Sequence, residues 1–215
     1  MGQELSQTYE FRMMHRGDIP ELLSIEKSAF RLPWDRKRFL QALNVRNGCT
    51  CIVLERALES AACVAGGETS TPPKRSGKKE PLAGYFVVEF HRIHTRIINL
   101  AIHQAHRRRG LASRSLSFID KLARRAAEIA DPRDPATEDP ARKYFGEIHL
   151  EVEESNLAAH LLYKKMGYLA TGVLRNFYPL LEEDGYKMVR QIPVSHEQAG
   201  TQREEASFDN SRTGV

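Results

Sequence analysis

At 215 residues, with 41% hydrophobic and 28% charged side chains, the chain suits one globular domain with extra loops and a tail, and is neither collagen-like nor wholly disordered. A net charge of +4 spread over 32 Lys and Arg permits an anionic partner but by itself reads as surface solvation, and nucleic acid is not the expected partner; no apolar run approaches the roughly 20 residues of a membrane span, and the polar start Met1–Glu10 has no secretory h-region, so a cytoplasmic protein is expected. Cys49, Cys51 and Cys63 form no CxxC pair and no zinc spacing, which predicts reduced thiols and no metal. In chain order, residues 1–8 are expected to be a flexible start; the Gly2 and Ser6 pattern for N-myristoylation there lacks a polybasic second anchor and is read as chance. The folded domain then runs over 9–192. Asp18 and Glu21 have capping-box spacing and Pro20 falls in the first turn, so a helix starts at Asp18, with Leu22, Leu23, Ile25, Ala29 and Phe30 as its apolar face and Pro33 as its stop.

Asp35 caps a second helix through about Leu43, and Thr50–Glu55 and Leu82–Phe90 read as strands, the second apolar on both faces and therefore central. Between them, residues 57–80 carry Ala, Gly, Thr, Pro and Lys without periodicity, as a surface insertion does. Thr95–Ile102 is another buried strand. Past Gly110, the recurrence of Ala112, Leu116, Ile119, Leu122, Ala123, Ala126 and Ile129 every three or four residues makes a long amphipathic helix, followed by an Asp-Pro-rich insertion at 131–142. Glu147–Glu153 alternates strictly, with Ile148, Leu150 and Val152 on one face and Glu147, His149, Glu151 and Glu153 on the other. Ser155 or Asn156 caps a short helix closed by Gly167, two strands near Tyr168–Leu174 and Tyr186–Ile192 follow, and residues 193–215 are a polar tail expected to be disordered. Helices interleaved with strands predict an α/β (α+β) sheet.

The densest chemical signal is the run from Ile98 to Ala112. A buried strand there feeds a Gly-containing turn with Arg107, Arg108 and Arg109 that opens the long helix, and it presents unpaired N–H groups and a helix dipole to something anionic, as a pyrophosphate cradle would. It has neither the G-x-x-x-x-G-K of a P-loop nor the G-x-G-x-x-G of a dinucleotide fold, which disfavours nucleotide hydrolysis and hydride transfer. A solvated basic helix start, or a nucleic-acid patch, is the competing reading of the same residues.

Arg107-x-x-Gly110-x-Ala112 resembles the Q/R-x-x-G-x-G/A acetyl-CoA motif of the GNAT superfamily of N-acetyltransferases. The run from Leu150 through Glu151, Ser155, Asn156, Leu162, Tyr163 and Gly167 to Tyr168 is similar to the L-E-V-R-x-S-N-x-A-A-x-x-L-Y-x-x-x-G-F segment of that superfamily's ribosomal-protein alanine N-acetyltransferases. Phe30-x-x-Pro33-Trp34 resembles their F-P-W turn, and Arg175-Asn176-Phe177-Tyr178-Pro179 with Glu183-Asp184 their R-N-Y-Y-P and E-D-A blocks. The match covers nearly all of 9–192 except the insertions. It implies the GNAT fold, a mixed and mostly antiparallel sheet flanked by helices and split at an acetyl-CoA cleft.

The resemblance implies acetyl-CoA as cosubstrate, held by the backbone of Leu100, Ala101 and Ile102 along its pantetheine, by the amides of Arg108, Arg109, Gly110, Leu111, Ala112 and Ser113 at its pyrophosphate, and by Asn156. Ala112 stands where glycine is commoner, which the motif admits. By the same resemblance Glu151 is the general base and Tyr163 the general acid; alternation alone gives Glu147 and Glu153 an equal claim to the base. Phe30, Trp34 and Tyr178 are expected to border the peptide entrance, or else to be plain core or rim. Glu153 replaces the group's arginine, and a second negative charge beside Glu151 is expected to raise the base's pKa or favour a cationic peptide. The implied acceptor is a protein N-terminus, nominally that of ribosomal protein S18. Lysine or small-amine acetylation, and an RNA-associated module with a silent site, stay open.

Overall fold

Hydrophobic alternation along the chain produces strands that pair into a single sheet in the order β1-β2-β3-β4-β5-β7-β6. The computed structural model describes residues 8–44, 48–57, 81–91, 94–129 and 145–193. The expected insertions, tail, myristoylation pattern and Cys63 thus lie outside the described residues, apart from Thr8, Ala57 and Pro193 at their edges. The elements are β1 (Tyr9–Met13), α1 (Ile19–Ala29), α2 (Arg36–Ala42), β2 (Cys49–Arg56), β3 (Gly84–Phe90), β4 (Thr95–Ile102), α3 (Leu111–Ile129), β5 (Phe145–Glu153), α4 (Leu157–Lys165), β6 (Leu169–Tyr178) and β7 (Glu183–Pro193). All neighbours pair antiparallel except β4 and β5, which are parallel. The expected strands and helices are present; β1 is an additional strand that the sequence reading does not name, and β6 and β7 extend beyond what alternation reveals.

The sheet has a core on each face. On one, Leu116, Ile119 and Ala123 of α3 and Tyr163 of α4 pack against Phe86, Val88, Ile97, Ile148, Leu150 and Val152. On the other, Leu22 and Ile25 of α1 and Phe39 of α2 cover Val53, Tyr85, Val87 and Ala101. Residues Leu82 to Val88 are buried on both faces, which explains their unbroken apolar run. Cys51 is buried and Cys49 half-buried on the α1/α2 side, both as free thiols. Burial pushes the Cys51 thiol up to about 12, so the thiol stays protonated and unreactive near neutrality.

Two acids of the first helix do something other than what their spacing suggests. Asp18 is the N-cap of α1 but makes no side-chain cap bond. Its carboxylate instead receives Arg12 Nη1 and Nη2 at 2.8 and 3.0 Å and the His15 amide at 2.9 Å, while Glu21 accepts from the Leu82 amide at 3.1 Å. A strand-borne guanidinium outcompetes the local cap because it offers two charge-assisted bonds to a fully buried carboxylate.

Glu26 is completely buried and ties four segments together. It accepts from the Trp34 amide at 2.7 Å, from Asn99 Nδ2 of β4 at 2.6 Å, and from the Tyr85 hydroxyl of β3. Desolvation pushes the Glu26 carboxyl above its usual range against the pull of the Trp34 and Asn99 bonds. Because the folded state then holds the proton more tightly than the unfolded chain, its contribution to stability is full below the unfolded value near 4.3 and is lost as pH rises through the folded value. Truncation by Glu26→Ala leaves three buried donors without an acceptor and is expected to cost about 3 kcal/mol, read from urea midpoints. The stability difference between wild type and Glu26→Gln is expected to shrink as pH rises from about 5 to 8; a flat difference would contradict the raised carboxyl.

Candidate active site

The site begins where two parallel strands part. β4 and β5 pair only through Thr95↔Ile148, Arg96↔His149 and Ile97↔Leu150, although β4 runs on to Ile102 and β5 to Glu153. The parting coincides with a bulge: β3 pairs Val88 with Ile97 and Val87 with Asn99, which leaves Ile98 as an extra residue in β4. A bulge bends its strand and shifts the side-chain alternation by one residue. Asn99 and Ala101 are thereby turned to the α1/α2 face and Leu100 and Ile102 to the α3/α4 face.

The register also sorts the main-chain groups. The His103 amide donates to the Ala83 carbonyl at 2.9 Å, which fixes Tyr85/Ala101 and Val87/Asn99 as hydrogen-bonded pairs. The N–H and C=O of Leu100 and Ile102 therefore point to the open edge, whereas those of Ala101 are directed at β3. Ala101 thus departs from the expectation that its backbone lines the cleft. Across the gap, the Glu154 amide donates to the Asp184 carbonyl at 3.1 Å, so the main chain of Glu151 and Glu153 faces the opening from β5.

At the end of β4 the chain makes a basic turn before α3. Arg108 and Gly110 have φ of 65° and 75°, the left-handed region that costs a side chain such as that of Arg108 energy and that Gly110 occupies freely. Strain of this kind persists at ligand-binding turns. No heavy atom lies within 4 Å of where a Cβ on Gly110 would sit, so the space over the turn is clear. The first helical bond of α3 runs from the Arg114 amide to the Gly110 carbonyl at 3.0 Å, and the amides of Leu111, Ala112 and Ser113 precede it as orphan donors. The arginines divide the work: Arg107 Nε donates to the Ile102 carbonyl at 3.1 Å and Arg109 Nη1 to the Tyr9 hydroxyl at 3.2 Å. Two of the run's guanidiniums are thus engaged with the fold itself.

Glu151 and Tyr163 approach this gap from opposite faces. Glu151 lies on the β5 face away from Ile148, Leu150 and Val152, and its Oε2 receives Arg96 Nε at 3.1 Å and Nη2 at 2.9 Å. Tyr163, from α4, belongs to the α3/α4 core. Burial, and secondarily Tyr178, push its phenol up to about 12, and its hydroxyl makes no hydrogen bond among the described residues. Tyr178 is itself pushed up to about 12 by burial and then by Glu153 and Glu151, so the two phenols and two carboxylates share one neighbourhood. Asn156 caps α4, its Oδ1 accepting from the Ala159 amide at 3.2 Å, with its amide nitrogen unused by that bond.

On the expected acceptor side the structure places Trp34 in the core, one of the two alternatives its sequence left open, and gives Glu153 a partner. Trp34 is buried in the α1/α2 core, ring-packed on Phe39 at 5.3 Å with Arg38 over it at 4.4 Å, so it shapes the α1–α2 turn instead of offering a free face. Phe30 is half-buried against the same core. Glu153, expected to act as an extra charge beside Glu151, is balanced by Arg31 at 3.4 Å. That guanidinium also bonds Ser155 Oγ at 3.2 Å and Glu183, and thereby ties the α1–α2 turn to the start of β7. Arg31 and Arg96 were not singled out by sequence reasoning, although an arginine inside the apolar run Thr95–Ile102 is a visible anomaly.

No protein-family model matches the chain. The ribosomal protein bS18-alanine N-acetyltransferase of Escherichia coli K12 is 23% identical over 179 residues, 83% of this chain and 93% of that protein. A Bacillus subtilis protein provisionally given the same name is 28% identical over 177 residues, 82% of this chain and 91% of its own length. Among solved structures, the E. coli ribosomal-protein-S18-alanine N-acetyltransferase matches with a TM-score of 0.60 at 20% identity, covering 90% of this chain and 97% of that one. Arabidopsis thaliana NAA60 in complex with acetyl-CoA matches with a TM-score of 0.60 at 17% identity over 86% and 99%.

Proposed function

We propose that this chain, built on the GNAT fold, is an acetyl-CoA-dependent N-acetyltransferase whose acceptor is the α-amino group of a protein N-terminus, with Glu151 as base and Tyr163 as acid. The fold follows from the structural likenesses and the sheet order. The observation that carries the activity is the parting of β4 and β5, which opens the sheet between a carboxylate on one face and a phenol on the other. Relatives named for bS18 alanine acetylation support a ribosomal acceptor of that kind, acting in the cytoplasm.

The residues present fit acetyl-CoA. Its pantetheine amides find the N–H and C=O of Leu100 and the N–H of Ile102 as an added strand would, the Ile102 carbonyl being already engaged by Arg107, and its pyrophosphate finds the orphan amides at the start of α3 beside the exposed Arg108. The thioester supplies an acetyl carbonyl activated toward amines. Glu151, through its unbonded Oε1, accepts the proton of the attacking amine as the C–N bond forms. Tyr163 donates to sulfur as the C–S bond breaks, and the resulting phenolate recovers its proton from solvent. Burial keeps the Tyr163 phenol protonated throughout the neutral range, the state an acid must hold before it donates. An α-amine, with a reference pKa near 7.7 to 8.0 against about 10.4 for lysine, suits a carboxylate base.

Short peptides with free N-termini, offered beside the same peptides N-blocked and lysine-bearing, are expected to drive acetyl-CoA consumption only when the terminus is free. Equal use of a blocked, lysine-bearing peptide would move the activity to side-chain amines. Glu151→Gln and Tyr163→Phe are each expected to lower kcat by about 100-fold, with acetyl-CoA affinity by calorimetry within about twofold of wild type. A wild-type rate for either variant removes that residue from its role. Gly110→Val, which forces a β-branched side chain into positive φ over the turn, is expected to weaken acetyl-CoA binding at least about tenfold; unaltered affinity would contradict the cradle.

A further inference from the structure

We infer that Arg96 is the positioning residue of the Glu151 carboxylate: it grips one oxygen and so leaves the other facing the acceptor amine, an inference that rests on the acetyl-transfer reading above. Arg96 stands on β4 opposite His149, one residue before the last β4–β5 pair, and its side chain shares the Glu151 face. Its Nε and Nη2 both donate to Oε2, at 3.1 and 2.9 Å, and no bond to Oε1 is made among the described residues. Two donors from one rigid guanidinium plane converging on one oxygen restrict the carboxylate's rotation as a single ammonium cannot.

The surroundings show why such a grip is needed. Glu151 sits at the edge of a gap, where β4 no longer flanks β5, and Glu153 two residues on projects from the same face. Glu153 is already held by Arg31, so Arg96 is the cation that answers Glu151. Arg96 projects from the face opposite buried Thr95 and Ile97, where it keeps over a third of its side chain exposed beside the more buried Glu151 carboxylate. Tyr178, which feels Glu151, Glu153 and Arg96 together, places the same ion pair beside the phenol pair of the cleft. Arg96 touches neither the thioester nor the amine in this assignment; it acts through Glu151.

A double-mutant cycle read in kcat tests this. Arg96→Met is expected to lower kcat by about 10- to 100-fold while the KM for acetyl-CoA stays within about twofold, because a misplaced base slows chemistry without touching the cofactor cradle. Arg96→Lys, which keeps the charge but not the two-pronged geometry, is expected to fall between Met and wild type. In a Glu151→Gln background, Arg96→Met is expected to have no further effect, since its only route to the reaction has been removed. Additive losses in the double variant, or wild-type kcat in Arg96→Met, overturn the inference while leaving acetyl transfer intact. If Arg96→Met loses fold by circular dichroism, the Arg96→Lys pair of measurements decides alone. Wild-type protein that acetylates no acceptor overturns the acetyl-transfer reading and this inference with it.

Discussion

A parallel strand pair that fails to stay paired is the constraint on which the site depends. After Ile97 and Leu150, β4 and β5 separate, because Ile98 is an extra residue on β4 and the bend it creates carries the strand away from its neighbour. Unpaired strand edges inside a sheet are costly unless something completes them. Here the edge groups left open are the N–H and C=O of Leu100 and the N–H of Ile102 on one side and those of Glu151 on the other, the groups that the proposed cosubstrate's amides would complete. β4 runs on into the turn of Arg107 to Gly110, so the open edge and the proposed anion cradle are consecutive along the chain.

The gap has a second consequence. In an unbroken sheet, residues on opposite faces are separated by the backbone layer, and Glu151 and Tyr163 would have no common reactant. Where the layer opens, the proposed reaction would bring a carbonyl between the strands to an amine from the α1/α2 side and a proton donor from the α3/α4 side. In the proposed reaction, acid and base are thus kept on opposite faces of the sheet while both are directed at the gap between β4 and β5. Their differing environments fit that division: Tyr163 is desolvated in a core, while Glu151 is ion-paired at an edge.

Charges around the gap come in matched sets. Arg96 answers Glu151, and Arg31 answers Glu153 and Glu183. Arg175 lies 2.5 Å from Asp184, which also accepts from the Asn176 amide and is held below the usual carboxylate range by these bonds. Beneath them, Glu26 anchors α1 to β3, to β4 just past the bulge through Asn99, and to the turn before α2 through the Trp34 amide. α1 is therefore fixed to β4, the strand that parts from β5.

Periodicity was sufficient for the elements themselves: the strand Thr95–Ile102, the long helix after Gly110 and the two-faced strand ending at Glu153 are each encoded by local spacing, because burial on one or two faces is a local demand. The basic turn was legible for the same reason, since a strand, a glycine and a helix start are consecutive in the chain. Local spacing misassigned Asp18 and Glu21 to a capping box and left Trp34 undecided between rim and core. The bulge at Ile98, the Arg96 and Arg31 pairs and the Glu26 hub emerge only in three dimensions. Each joins residues dozens of positions apart, and no window along the chain records which charges a parting pair of strands will bring face to face.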